Sequence, residues 1–503
     1  MTVSIPVETD RDALPWQRLS PLMLFIHPVQ ELIRFLPALV GLLFAGSSSG
    51  HGSRWSLIGL ALAVGIGMLR WFTTTYRITD AQVQVRRGLL RRRTLAVPLD
   101  RVRTVDVTAH AMHRMLGLAR VTVGTGRSDR KKNDGLTLDA LSRGTAGDLR
   151  KQLLDRGSAD RPSIVEQSGG PVVIARAEPG WVRYGPFTLS GFVAIGAIAA
   201  LLSRFFGESQ RNPENFGPFK AVIDELNSVP LPVAVLEVIA AVLAAVAVAS
   251  TVGYLLSFWN FVLSRPSDGT LHVTRGLLTS RATTLEERRL RGAEFSEPLL
   301  LRAVGGARCL AIATGLRVGR GAERGGSVLL PPAPREAARR VVSAVLRDAA
   351  PVTVPLIAHP PVARRRRFGR AVGIALALVA LLGLAAWQLG LPTWIWQASW
   401  LTIPAAICLA ADRFASLGHV VSGGYLVGRW GSLVRRRWML ANDGIIGWNI
   451  RRSLFQRRAG LVTLTATTAG GRQGYKVQDI SAAEAVRLAE EAAPGLLEPF
   501  VLR

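Results

Sequence analysis

The sequence predicts a polytopic α-helical membrane protein with about six transmembrane helices in three hairpins. These alternate with three cytoplasmic α+β modules, each an antiparallel curved sheet closed by a C-terminal helix. Three observations predict this. The 503 residues are 49% AVILMFWYC yet carry 62 Lys+Arg against 35 Asp+Glu, a net charge of +27. Mean hydropathy is nevertheless positive, at +0.26, so apolar and charged residues must be segregated into membrane spans and aqueous modules. Finally, three basic segments repeat one internal spacing. The composition excludes a disordered chain, and two cysteines, Cys309 and Cys408, exclude a disulfide scaffold.

Residues 1–28 form an N-terminal cytoplasmic segment; residues 1–20 have acidic groups and no apolar core, so no cleaved signal peptide is expected. A first hairpin, 29–72, joins stretches 29–46 and 55–72. Its first span is the weakest, interrupted by Glu31, Arg34 and Pro37. The second hairpin, 184–263, contains the uncharged stretches 184–203 and 238–264. The third, 371–411, is uncharged throughout and broken at Gly390-Leu391-Pro392-Thr393. Between and after them lie the modules 73–157, 264–350 and 412–495, a linker 158–183, a basic linker 351–370 and a tail 496–503. Residues 70–183 hold 22 Lys+Arg and 11 acids, residues 264–370 hold 20 and 8, and residues 412–503 hold 13 and 7. By the positive-inside rule these segments and both termini of an inner-membrane protein face the cytoplasm.

In the first module Gly88 is followed 26 residues later by Arg114, and Arg114 three later by Gly117. Gly276, Arg302 and Gly305 repeat these spacings, as do Gly431, Arg457 and Gly460. Each copy ends in a helix-like stretch: 144–156, 334–348 and 481–493. Alternating apolar residues (Val83/Val85, Leu95/Val97/Leu99, Val102/Val105/Val107, Val121/Val123) and Leu136-Thr137-Leu138 predict strands in the first copy. Gly88 closes a turn at positive φ. Ser481-Ala482-Ala483-Glu484 predicts a capping box.

Tyr76-Arg77-Ile78-Thr79-Asp80, Val83-Gln84-Val85-Arg86-Arg87-Gly88-Leu89-Leu90, Val97-Pro98-Leu99-Asp100-Arg101-Val102-Arg103-Thr104-Val105 and Arg114-Met115-Leu116-Gly117-Leu118-Ala119 carry a family resemblance. Over about 60 residues this copy resembles the bacterial pleckstrin-homology (PH) domain of the YdbS/YdbT-like membrane proteins, also termed bPH2. Three modules after paired spans resemble the larger, YdbT-like members. Copy two keeps Arg275-Gly276-Leu277-Leu278 and Arg289-Leu290-Arg291 but lacks the Val-Pro-Leu step. Copy three diverges most, with Gly444 in the place of Arg101 and tryptophans at 430, 438 and 448. The resemblance implies a PH-like fold and a non-catalytic role at the membrane. It also implies envelope homeostasis and, as a partner, a smaller one-module relative.

Two arginine clusters are candidates for anionic lipid or partner binding: Arg86, Arg87, Arg91, Arg92 and Arg93 around one hairpin, and Arg364, Arg365, Arg366 and Arg367 before the fifth span. Each basic residue near an anionic surface is worth about 1 kcal/mol. The bland reading of the second cluster is that it fixes orientation. Arg114, Arg302 and Arg457 are expected to serve the fold by hydrogen-bonding backbone carbonyls. Glu237 and Arg204 sit near the outer ends of their spans, where snorkelling or a hairpin ion pair accounts for them. Gly46-Ser47-Ser48-Ser49-Gly50 lacks the strand-to-helix setting of a nucleophile, and His110 and His113 lack a ligand array. No enzyme, cofactor, metal site or nucleic-acid partner is expected. The expected function is a membrane-anchored scaffold whose modules bind anionic lipid, another protein or one another; the alternative is a transport or export accessory using the six spans.

Overall fold

The computed structural model describes the chain except residues 1–15, 23–72 apart from Gly65, 80–81, 89–92, 99–103, 125–135, 148–170, 204–223, 316–326, 498–503 and scattered single positions. The spans expected at 29–46 and 55–72 therefore lie outside the described residues. One element order recurs three times: four strands, a short helix, then two strands. In the first repeat these are β1 (Thr75–Ile78), β2 (Gln82–Arg87), β3 (Arg93–Pro98), β4 (Thr104–Ala109), α1 (Ala111–Met115), β5 (Leu118–Gly124) and β6 (Leu136–Ser142). A long helix, α2 (Leu231–Phe258), precedes the second repeat. That repeat comprises β7 (Val262–Arg265), β8 (Thr270–Arg275), β9 (Ser280–Glu286), β10 (Leu290–Pro298), α3 (Leu299–Ala303), β11 (Gly306–Ala313), β12 (Val328–Pro334) and a closing helix α4 (Arg335–Leu346).

Helices α5 (Pro361–Leu389), α6 (Thr393–Ser399) and α7 (Thr402–Ala415) follow. The third repeat then runs β13 (Gly418–Ser422), β14 (Tyr425–Trp430), β15 (Val434–Ala441), β16 (Gly447–Arg451), α8 (Leu454–Arg458), β17 (Leu461–Thr467), β18 (Gly474–Ser481) and α9 (Ala482–Ala492). The glycines that define the repeat adopt matching backbones. Gly88, Gly276 and Gly431 have φ of 109°, 106° and 109°, and Gly117, Gly305 and Gly460 have 68°, 73° and 64°. At Gly276 and Gly431 a Cβ would lie 2.0 Å from the carbonyl oxygen three residues on, so the turn itself requires glycine.

In the first and third modules two sheets pack face to face, each receiving three strands of the repeat, rather than the single sheet expected. In the first, Val83, Val85 and Val97 from one sheet pack against Val105, Val121, Val123 and Leu138 from the other. In the third, Leu426, Trp438 and Leu440 face Val462, Leu464, Val477 and Ile480, with Leu488 of α9 over them. Two layers are needed because a lone three-stranded sheet leaves one apolar face wet.

The chain divides into two compact units. The first holds residues 1–170, 185–262 and 272–285; the second holds 171–184, 263–271 and 286–503. In the first unit β9, from the second repeat, pairs antiparallel with β4 of the first, continuing a sheet ordered β6-β5-β4-β9. In the second unit β10 pairs with β15, giving the order β12-β11-β10-β15-β14-β13. In both units, therefore, the fourth strand of one repeat is joined to the third strand of the next.

Among the described residues three helices are long and apolar enough to cross a membrane: Leu231–Phe258, Pro361–Leu389 and Thr393–Ala415. Helix α2 starts earlier than the uncharged stretch and includes Glu237. It stops at Trp259, before Asn260 at φ 49°. The stretch expected to begin at 184 is 3-10 through Phe187, with Pro186 inside it. The described residues from 190 to 203 are helical. There Gly191 lets two helices meet: a Cβ would lie 2.2 Å from Ser250 Oγ, and the Gly191 N–H donates to that oxygen at 2.9 Å. As expected, α5 ends at Gly390, which is left-handed, and α6 begins after Pro392.

Candidate binding surfaces

Arg364–Arg367 lie within the first two turns of α5, and the helix sorts them. Arg364 and Arg365 are exposed, and the Arg364 guanidinium sits 5.6 Å from the Phe368 ring one turn on. Arg367 is only 5% exposed. Its Nε donates to Asp479 Oδ2 at 3.0 Å and its Nη2 to Gln478 Oε1 at 3.1 Å. Arg366 also pairs with Asp479. Arg366 and Arg367 thus bind the third module's own carboxylate, which removes them from the candidate surface. A buried arginine needs such a partner, since the unpaired charge would be costly.

Asp479 is the hub of this cluster. It is 1% exposed, sits at φ 62°, and also accepts from Gln456 Nε2 at 2.9 Å. Gln456 belongs to α8, where Ser453 and Gln456 form a reciprocal capping box. At Ser481 only half of the expected box forms. Its hydroxyl accepts from the Glu484 N–H, but the Glu484 carboxylate turns to Arg487 and to His419. His419 and His359 are both buried, with ring centroids 5.0 Å apart. Burial first, then the neighbouring His419 and Arg367 charges, pushes the His359 pKa down to about 4.

The hairpin arginines are described in part. The Arg86 guanidinium lies 4.5 Å from the Trp16 ring and that of Arg77 lies 5.0 Å from it, so Arg86 packs on an aromatic face. Arg87 and Arg93 oppose one another across β2 and β3. Arg91 and Arg92 lie outside the described residues.

The arginines of the repeat signature share a backbone position but not a contact. Arg114 donates to the Leu277 carbonyl, in the turn after β8. That turn caps α2: Gly276 N–H donates to Trp259 O at 2.8 Å and Leu277 N–H to Leu256 O at 2.9 Å. Beside it lies an open cavity of about 510 Å³ lined by Arg114, Arg275, Trp259 and Asn260, among others. Arg302 donates to both oxygens of Asp412, in the last turn of α7, at 3.1 Å, where Arg435 also pairs. Arg114 thus meets a backbone carbonyl, as expected, but in the second repeat, whereas Arg302 meets a carboxylate in the helix leading into the third. Arg457 is exposed.

Sequence reasoning missed these joints between repeats. Their signal is the acid eight residues before the arginine, Asp106 and Glu294, replaced by Asn449 in the third copy. It also missed an exposed elbow: Leu454 is 73% and Phe455 71% exposed, between the exposed pairs Arg451/Arg452 and Arg457/Arg458.

The family model described as bacterial PH domain matches residues 31–157 and 370–494, together half of the chain. No curated protein and no solved structure matches it.

Proposed function

Because the chain belongs to the bacterial PH domain family, we propose that it is a non-catalytic scaffold anchored in the plasma membrane of a bacterial cell. Its PH-like modules bind a partner protein or anionic lipid at the cytoplasmic leaflet. In this reading six spans in three hairpins hold both termini and all three modules on the cytoplasmic side. The physiological setting is envelope homeostasis. Its partners are anionic lipids, a smaller one-module PH-like membrane protein or a second copy, and not nucleic acid. The observation that carries the reading is the attachment of a folded module to the base of an apolar helix through Arg367 and Asp479. Exposed cations flank the elements that make this attachment: Arg364 and Arg365 in the same helix, and Arg451, Arg452, Arg457 and Arg458 in and next to α8, whose Gln456 binds Asp479. Cations at such a level meet headgroup phosphates before any other polyanion.

The test uses the full chain, because β4 of the first module is paired with β9 and an excised module would expose that edge. Native mass spectrometry from nanodiscs, with and without anionic phospholipid, reads retained lipid. Crosslinking in native membranes reads retained protein. Retention of neither would refute the proposal. Cysteine labelling at 48, 210 and 391 from outside the cell, and at 129 and 473 only after permeabilisation, checks the orientation.

A further inference from the structure

The two joints between repeats are superimposable in register. In the first, Ser280 faces Ala109 and Thr283 faces Asp106. In the second, Arg435 faces Glu297 and Trp438 faces Glu294. In each case the residue four after the turn glycine faces the residue five before the signature arginine. In each joint a fourth strand pairs with the next third strand, and the signature arginine reaches forward along the chain, Arg114 to the Leu277 carbonyl and Arg302 to Asp412.

At the third repeat the same equipment stands open. β16 is a fourth strand at the end of its sheet, and among the described residues it pairs only with β17. Its equivalent β10 is buried over most of its length, whereas Asn449, Ile450 and Arg451 of β16 are exposed. Arg302 is held by Asp412, whereas Arg457 has no partner among the described residues. Next to it, Leu454 and Phe455 of α8 offer an apolar ledge. An unpaired strand edge of this kind is a template for strand addition unless it is blocked.

We infer that β16, with the α8 elbow, is the docking edge for a separate PH-like module, which adds its third strand in the register the chain already uses twice internally. The inference rests on the scaffold reading above and specifies its protein partner. The charges decide against a second copy of this chain. In that register Arg451 would lie directly opposite Arg93 of β3, and Arg452 opposite Arg92. Like charges directly across a ladder are destabilising. From Gly444 to Gln478 the chain has six Lys/Arg and no acid. The partner's third strand therefore carries neutral or acidic residues four and five positions after its turn glycine.

A peptide of residues 279–286 supplies a third strand as a probe, either with its own Arg281 or with the substitution Arg281→Glu. The full chain, in a Cys408→Ala background in nanodiscs, carries Ile450→Cys or, as a second exposed variant, Asn449→Cys. Disulfide formation is then timed. The register pairs Ile450→Cys with an Ala282→Cys peptide and Asn449→Cys with a Thr283→Cys peptide. Matched pairs should form faster than crossed pairs. The Arg281→Glu peptide should react about tenfold faster than its parent, since each cross-strand charge pair changes the equilibrium by a factor of a few. Equal rates for all four combinations, or for both peptides, would overturn the inference. So would a ladder of multimers from Thr94→Cys/Ile450→Cys, which would make a second copy the occupant. If the edge stays inert while lipid or protein is retained in the assays of the scaffold reading, the edge assignment fails and that reading stands.

Discussion

Replacing Asp479 by Asn should be among the most damaging single changes in the second unit. Asp479, itself buried, gathers Arg366, Arg367 and Gln456. Asparagine tolerates the left-handed backbone of this position, so the substitution isolates the charge. It leaves Arg367, 5% exposed, as a buried cation with neutral acceptors only. Removing one partner of a buried pair costs about 3–5 kcal/mol. For a unit of roughly this size each kcal/mol moves the melting temperature by about 2–4 °C, so a fall of roughly 10 °C is expected. Thermal challenge of the nanodisc-embedded chain, read by protease resistance of the third module, measures it. The double variant Arg367→Met/Asp479→Asn removes the orphaned charge and should recover much of the loss. An Asp479→Asn chain that melts within about 2 °C of the parent, equivalent to less than 1 kcal/mol, would refute the reasoning. A double variant no better than the single would refute it too.

Three further outcomes are expected. His359 is held neutral by burial, with its pKa lowered to about 4. Its contribution is therefore complete above the unfolded value near 6.5 and is lost as pH falls towards 4. The loss should reach about 3 kcal/mol, and a pH series of melting temperatures on the parent and His359→Gln, in which the slope flattens, checks it. Gly276→Ala and Gly431→Ala drive a Cβ into a backbone carbonyl and should each cost about 1–3 kcal/mol. Gly305→Ala has the same sign of φ but open space around it and should cost about 1 kcal/mol, an order that differential scanning fluorimetry can test. Gly292 sits at φ 147° with its missing Cβ 1.9 Å from the Met439 carbonyl. Gly292→Ala should thus open the β10–β15 joint, seen as new protease cleavage between residues 286 and 300 without loss of the helices by circular dichroism.

Local chemistry determined much of this protein by itself. The turn glycines are legible because only glycine reaches φ near 106° beside a carbonyl. The apolar helices are legible because a bilayer needs uncharged length. The break at Gly390 and Pro392 is legible because one residue accepts a left-handed cap and the other cannot continue a helix. Tertiary structure alone decided how the repeats are used. Strand patterning says which face of a strand is buried but not which chain segment supplies the neighbouring strand, so the joints β4–β9 and β10–β15 were invisible. The arginine cluster in the first turns of α5 shows the same limit. Four consecutive residues of one type are equivalent in sequence, but a helix turns each by about 100°. That rotation gives Arg367 to Asp479 and leaves Arg364 and Arg365 outside. Composition shows only the basic excess, and packing alone divides it into cations already spent within the fold and cations left on the surface.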